Sequence, residues 1–238
     1  MKKPSVIVLA LILAVSGLTA CSSNNGSGKQ ADNQASESNS GDSQQAQTPG
    51  PGISSFQPFV FSGTGDAVTE LTVIPARYVV ASIKVSNNGD NNYFGVEQVN
   101  GDLEDVTLLV NTVGDYQGSV LVDTERYGTD GKVAFSVDAN RNGNWEIIVT
   151  PLVASESNSF AGAGDYVSGV FLSPGISTWK FSHDGTSNFK VFCYSLSGDN
   201  DRVVNEIGAY EAESSVTLGE GYVFWVVQAD GNWSITFK

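Results

Sequence analysis

The chain is written twice. "FSGTGDAV", starting at Phe61, returns as "FAGAGDYV" at Phe160; "VNTVGDY" at Val110 returns as "VNEIGAY" at Val204; "GNWEIIV" at Gly143 returns as "GNWSITF" at Gly231. The three pairs keep their order and nearly their spacing, so the fold must be a tandem of two similar units of roughly 80 to 90 residues. Whatever architecture suits one copy has to suit the other. The boundaries follow as residues 53–151 and 152–238.

Within each copy the apolar residues recur at every second position or run on without break, and β-branched and aromatic types dominate. "YVVASIKV", "VAFSVDA", "TWKFS", "FKVFCYS" and "YVFWVVQA" are of this kind, separated by "NNGDNN", "HDGTSN" and "SGDND". Short runs of this sort between Gly, Asn, Asp and Ser clusters are strands and turns. Only "DRVVNEIG", Asp201 to Gly208, suggests a single helical turn. The prediction is all-β: two tandem antiparallel β-sandwich units, jelly-roll-like in arrangement. The link between copies, "TPLVASESNS", holds Leu152 and Val153 and is short, so the units should touch.

The segment before the repeats has a different character. "MKKPSVIVLALILAVSGLTAC" places Lys2 and Lys3 ahead of an apolar run, Val6 to Val15, and ends in Leu18-Thr19-Ala20-Cys21. This order resembles the lipobox signal of bacterial lipoproteins. The resemblance implies removal of residues 1–20, lipidation of Cys21 and a membrane attachment on the extracytoplasmic side, with acyl chains that hold at roughly 0.8 kcal/mol per buried CH2. Residues 22–52 lack any aromatic residue and any Val, Ile, Leu or Met. That composition predicts a disordered tether with a span of roughly 30 Å. The repeats themselves are loosely similar, through strand rhythm and the late Gly-Asn-Trp strand, to pre-peptidase C-terminal-type β-sandwich domains. That likeness implies an accessory, non-catalytic module.

Charge narrows the partners. All 26 acidic residues follow the signal, and 2 of the 12 basic ones precede Cys21, so the remainder carries a charge near −16. Nucleic acid needs basic patches, and none is visible. With Cys21 lipidated, Cys193 has no disulfide partner and alternates with Phe189 and Val191 as a small buried residue.

The duplication also assigns single residues. Trp145 and Ile147 match Trp233 and Ile235 on one strand face, which makes them core. Trp225 is set against Phe135, Trp179 against Ile83 and His183 against Asn87. Gly63-x-Gly65-Asp66 and Gly162-x-Gly164-Asp165 read as turns with positive φ and an aspartate bonding nearby N–H groups. The copies differ on one face. Glu97, Lys132, Ala134 and Ser136 form a solvent-facing set in the first, whereas Phe192, Tyr222, Phe224 and Val226, with Tyr194 near them, form an apolar patch in the second. Such a patch is either an inter-repeat interface or a surface for a glycan, wall polymer or envelope protein.

"DANRNGNWE" offers a metal reading. Asp138, Asn140 and Asn142 alternate ahead of Gly143 like the opening of a calcium loop. The twelfth position is Val149 instead of a glutamate, the following "WEIIV" is a strand, and the second copy shortens the stretch to "QADGNWS". An elongated β-hairpin is the preferred reading, no cofactor is expected, and calcium is the alternative. Catalytic groupings are sparse. His183 is the one histidine, no nucleophile-elbow or zincin pattern occurs, and the carboxylates Asp102, Glu104 and Asp105, or Asp199 and Asp201, sit in loops. The sequence thus predicts a non-enzymatic, lipid-anchored envelope protein that binds or adheres. A polysaccharide hydrolase, or a hydrolase accessory, working through the loop carboxylates is the alternative.

Overall fold

Among the residues described by the computed structural model, 53–100, 106–126 and 130–238, every regular element is a strand. The signal, Cys21, the tether, and Asp102, Glu104 and Asp105 lie outside the described residues. The first copy contributes β1 (Phe59–Thr64), β2 (Ala67–Val68), β3 (Thr72–Val73), β4 (Tyr78–Ser86), β5 (Tyr93–Val99), β6 (Val106–Val113), β7 (Tyr116–Asp123), β8 (Lys132–Asp138) and β9 (Asn144–Pro151). The second contributes β10 (Phe160–Ala163), β11 (Tyr166–Val167), β12 (Phe171–Leu172), β13 (Ile176–His183), β14 (Asn188–Ser195), β15 (Asn200–Ile207), β16 (Tyr210–Thr217), β17 (Tyr222–Gln228) and β18 (Asn232–Phe237).

Each copy is a two-sheet antiparallel sandwich. In the first, the sheets run β1-β9-β4-β7 and β2-β8-β5-β6; in the second, β10-β18-β13-β16 and β11-β17-β14-β15. The strand orders are the same once counted from the start of each copy. The chain changes sheet at almost every connection, and only β2–β3, β5–β6 and their counterparts stay in one sheet. This is jelly-roll winding. The inward residues form two separate cores, one around Phe61, Phe94, Phe135, Trp145 and Ile147, the other around Trp179, Phe181, Trp225, Trp233 and Ile235.

The repeated motifs turn out to be one lock. Gly65 and Gly164 have φ of 68° and 69°, as a turn after β1 and β10 requires. Gly63 and Gly162, however, lie inside strands, where the indoles of Trp145 and Trp233 occupy the space a Cβ would need. Each indole N–H then donates 2.9 Å to the next glycine carbonyl, Trp145 to Gly65 and Trp233 to Gly164. Asp66 and Asp165 each accept an N–H at 3.1 Å, from Ala139 and Ala229. So the early glycines and the late tryptophan are two halves of one contact, about 80 residues apart in sequence in the first copy.

Several expectations need correction. "DRVVNEIG" is strand β15, with Val204 buried against β14. "DANRNGNWE" is a crossover between sheets, since β8 and β9 belong to different ones, and not a hairpin. Gly143 is required there because a Cβ would lie 2.9 Å from Asn88 Oδ1. The "HDGTSN" turn likewise joins β13 and β14 across the sandwich. Trp145 and Trp233 face Val85 and His183 respectively, so His183 replaces Val85, not Asn87, and Phe181 replaces Ile83. The register slip was two residues, which keeps every side chain on its face. The core assignment of Trp179 therefore survives the slip. In the first copy Ala134 is buried, while Lys132 is exposed and Glu97 and Ser136 are half-buried.

Candidate functional site

The two sandwiches meet through faces that point away from their own cores. Tyr78 on β4 and Leu121 on β7 project from the first; Phe224 and Val226 on β17, with Phe192 and Tyr194 on β14, project from the second. Tyr78 makes edge contacts with Tyr194 and Phe224, at 6.0 and 5.7 Å between ring centroids, and Tyr194 stacks on Phe224 at 5.6 Å. Leu152 of the link is buried in the same cluster, whereas Val153 is exposed. The apolar patch of the second copy is thus the inter-repeat interface. Phe224 is completely buried in it.

The patch does not end at the interface. Phe192 and Tyr194 are half-buried and form part of the wall of an open cleft of about 500 Å³ along the seam. Arg77, Asp123 and Arg126 contribute its charged groups. Arg77 is held on two sides and looks onto a glycine on a third. Its guanidinium lies 4.7 Å over the Tyr78 ring, Nε and Nη2 donate to the Asp123 carboxylate at 3.3 and 3.4 Å, and Nη1 faces Gly198. The bond to Asp123 raises the Arg77 pKa further. A second cleft, of about 610 Å³, adjoins the first and shares Leu108, Leu109 and Gln228 with it. Together they make one groove following β6 and β7 of the first copy against the second copy. Clefts between packed units are among the places where ligands preferentially bind.

Two hydrogen bonds to Asp165 tie the copies beside the second cleft. Tyr116 Oη donates to Asp165 Oδ2 at 2.7 Å, and the Ser119 N–H donates to the Asp165 carbonyl at 3.0 Å. Asp165 thus serves its own copy through Ala229 and the other copy through Tyr116. Burial raises the Asp165 pKa, and these two hydrogen bonds oppose the rise. The phenol of Tyr116 is pushed well above its ordinary value by burial and by the Asp165 charge.

The other sequence candidates are placed as follows. Tyr222 is half-buried at the interface, opposite Leu172. Asp138 lies beside Asp66, and burial with that neighbour raises its pKa. Asn140 Oδ1 already accepts the Asn142 N–H, and among the described residues no three His, Cys, Asp or Glu side chains are grouped to hold a metal. His183 is buried, stacks on Phe189 at 4.7 Å, donates Nδ1–H to the Gly208 carbonyl at 2.9 Å, and has Nε2 3.3 Å from Asp230 without hydrogen-bond alignment. The Cys193 thiol is buried on another strand, opposite Trp225, and pushed up to about 12 by burial. Asp199 on the β14–β15 turn and Asp201 at the start of β15 are exposed, outside both clefts.

Sequence reasoning missed Arg77, Tyr78, Leu121 and Tyr116. The signal was present in the other pair of matching strands. Tyr78, Val80 and Leu121 correspond in register to Ile176, Thr178 and Ser215, so the first copy is apolar on the face where the second is mostly polar. Each copy carries one half of the interface. No known family model matches the chain, and no curated protein matches its sequence.

Proposed function

We propose that this protein is a lipid-anchored, extracytoplasmic binding module that holds an extended glycan in the groove between its two sandwiches. The observation that carries this reading is the seam cleft with Phe192 and Tyr194 in its wall and Arg77, Asp123, Gln98 and Asn200 around them. Sugars are recognised by flat aromatic surface together with amide, guanidinium and carboxylate groups that hydrogen-bond ring hydroxyls. A groove continuing past Leu108 into a second cleft suits a chain of sugars better than a single one. The Leu18-Thr19-Ala20-Cys21 signal and the polar residues 22–52 support display on a tether at a membrane surface.

The test is a glycan array probed with the full-length protein and with Tyr194→Ala. Saturable binding to oligosaccharides that the variant loses, with its melting curve still cooperative, supports the reading. Absence of binding to every glycan on the array refutes it.

A further inference from the structure

We infer that the groove is selective for acidic oligosaccharides, with a uronate carboxylate seated at the Arg77–Arg126 end. This rests on the glycan reading above and narrows it to a ligand class.

The protein has four arginines, Arg77, Arg126, Arg141 and Arg202, against 26 carboxylates. Two of the four line the first cleft. Arg202 lies directly opposite Phe192 across the β14–β15 pair, and antiparallel partners project to the same face, so it stands on the face that bears the cleft. Two of four arginines in a strongly acidic molecule thus line one opening, and a third stands on the sheet face beside it. Asp123 lines the cleft with them, and Glu125 stands 3.8 Å from Arg77 Nε, so the arginines here are met by carboxylates without being outnumbered by them. The adjoining cleft has the opposite balance, with Asp115, Asp165 and Asp230 against Lys190. The groove is therefore polarised along its length.

Arg77 is built for the task. The stack on Tyr78 and the two-bond fork to Asp123 fix the guanidinium, so little side-chain entropy is lost when a ligand arrives. Nη1 is left facing Gly198, where a Cβ would stand 2.7 Å from it. Glycine at 198, with φ of 114°, keeps a side chain off that nitrogen. A planar carboxylate entering between Arg77 and Arg126 would accept charge-assisted hydrogen bonds, and its ring would then lie beside Tyr194 and Phe192. The polarity decides between polyanions. Nucleic acid, with one charge per about 1.7 Å of duplex, would bring phosphates onto Asp115, Asp165 and Asp230. A sugar chain has hydroxyls to offer those carboxylates and reserves its charge for the arginines.

The experiment is calorimetric titration of full-length protein in detergent micelles with a galacturonate hexasaccharide, its methyl ester, a hyaluronan hexasaccharide, cellohexaose and hexaglutamate. At least one uronate hexamer should bind 10-fold or more tighter than the methyl ester and cellohexaose. Arg126→Gln, on an exposed turn, should erase that preference, bringing the uronate down to the affinity of its methyl ester, and Gly198→Ala should weaken uronate binding by crowding Nη1. Equal binding of acid and ester overturns the acidic selectivity but leaves the groove as a glycan site. Hexaglutamate binding as tightly as the uronates overturns the sugar assignment. Failure of every hexasaccharide overturns both readings.

Discussion

Tyr116→Phe removes one hydroxyl and nothing else, and the seam predicts what should follow. The lost bond is a 2.7 Å donor to a partly buried carboxylate, the kind whose net contribution is about 1.5–3 kcal/mol. Tyr116 and Asp165 both line the second cleft, so water can reach the vacated Oδ2, which places the loss at the low end, about 1.5 kcal/mol. For a folded region of this size that is a fall in Tm of about 3–6 °C. The loss should also depend on pH. Burial holds the Asp165 pKa above the unfolded value, so this group favours the fold below the ordinary carboxylate pKa of about 3.9, and that contribution fades as pH rises through the raised value. The Tyr116 bond opposes the rise, so removing it lifts the pKa further and makes the ionised form costlier still. Differential scanning calorimetry should therefore show a larger loss at pH 7 than at pH 4. Tyr210→Phe, the matching change in the second copy, where the ring packs on Phe189, is the control and should stay within about 0.5 kcal/mol. Equal losses for the two variants, or a Tyr116→Phe loss independent of pH, would refute Asp165 as the tie between copies.

Other consequences are as direct. Gly162→Ala drives a methyl into the Trp233 indole, 2.8 Å from Cζ2, and should cost about 1–3 kcal/mol in a urea titration, with Gly63→Ala at least as damaging against Trp145. Trp233→Phe leaves the Gly164 carbonyl without its donor, whereas the Trp225 indole N–H has no partner among the described residues; Trp225→Phe, which restores the residue type found at Phe135, should be the milder change by about 1 kcal/mol. The Cys193 thiol should resist a maleimide at pH 8 in the native protein and react fully in urea; native labelling within minutes would contradict its burial. Calcium at 1 mM should leave Tm unchanged. A site of Kd about 10 µM would add about 2.7 kcal/mol, so a rise of several degrees abolished by Asp138→Ala would restore the metal reading.

How far the sequence could be read follows from what was duplicated. Cores were legible because Trp145 and Trp233, Ile147 and Ile235, had to serve the same packing twice. Strand identity was legible too, and even the two-residue slip that set Trp179 against Ile83 left each side chain on its proper face. Connections were not legible. A turn such as "HDGTSN" has the same composition whether it closes a hairpin or crosses a sandwich, and only sheet membership separates the two. The mistake over "DRVVNEIG" has a related cause, because β15 is an edge strand paired only with β14, and its exposed residues are too polar to display alternation.

The groove was legible only in half, and the reason is physical. A patch such as Phe192, Tyr194 and Phe224 announces that something covers it, but the covering surface need not be aromatic or even contiguous in sequence. Here it is Tyr78 and Leu121, drawn from strands of the other sheet type in the other copy. Two identical jelly rolls would present two kinds of outer face, each of them twice, and no divergence between the copies to single out one pairing. Divergence broke that equivalence twice, once by making the β14–β17 face apolar and once by making the β4–β7 face apolar, and the two changes are useful only together. The same pairing brings Arg77 and Arg126 of the first copy beside Tyr194 of the second. The proposed binding site at this seam is therefore a property of the tandem: a single repeat, even perfectly folded, would present Arg77 and Arg126 or the aromatic wall, and never both.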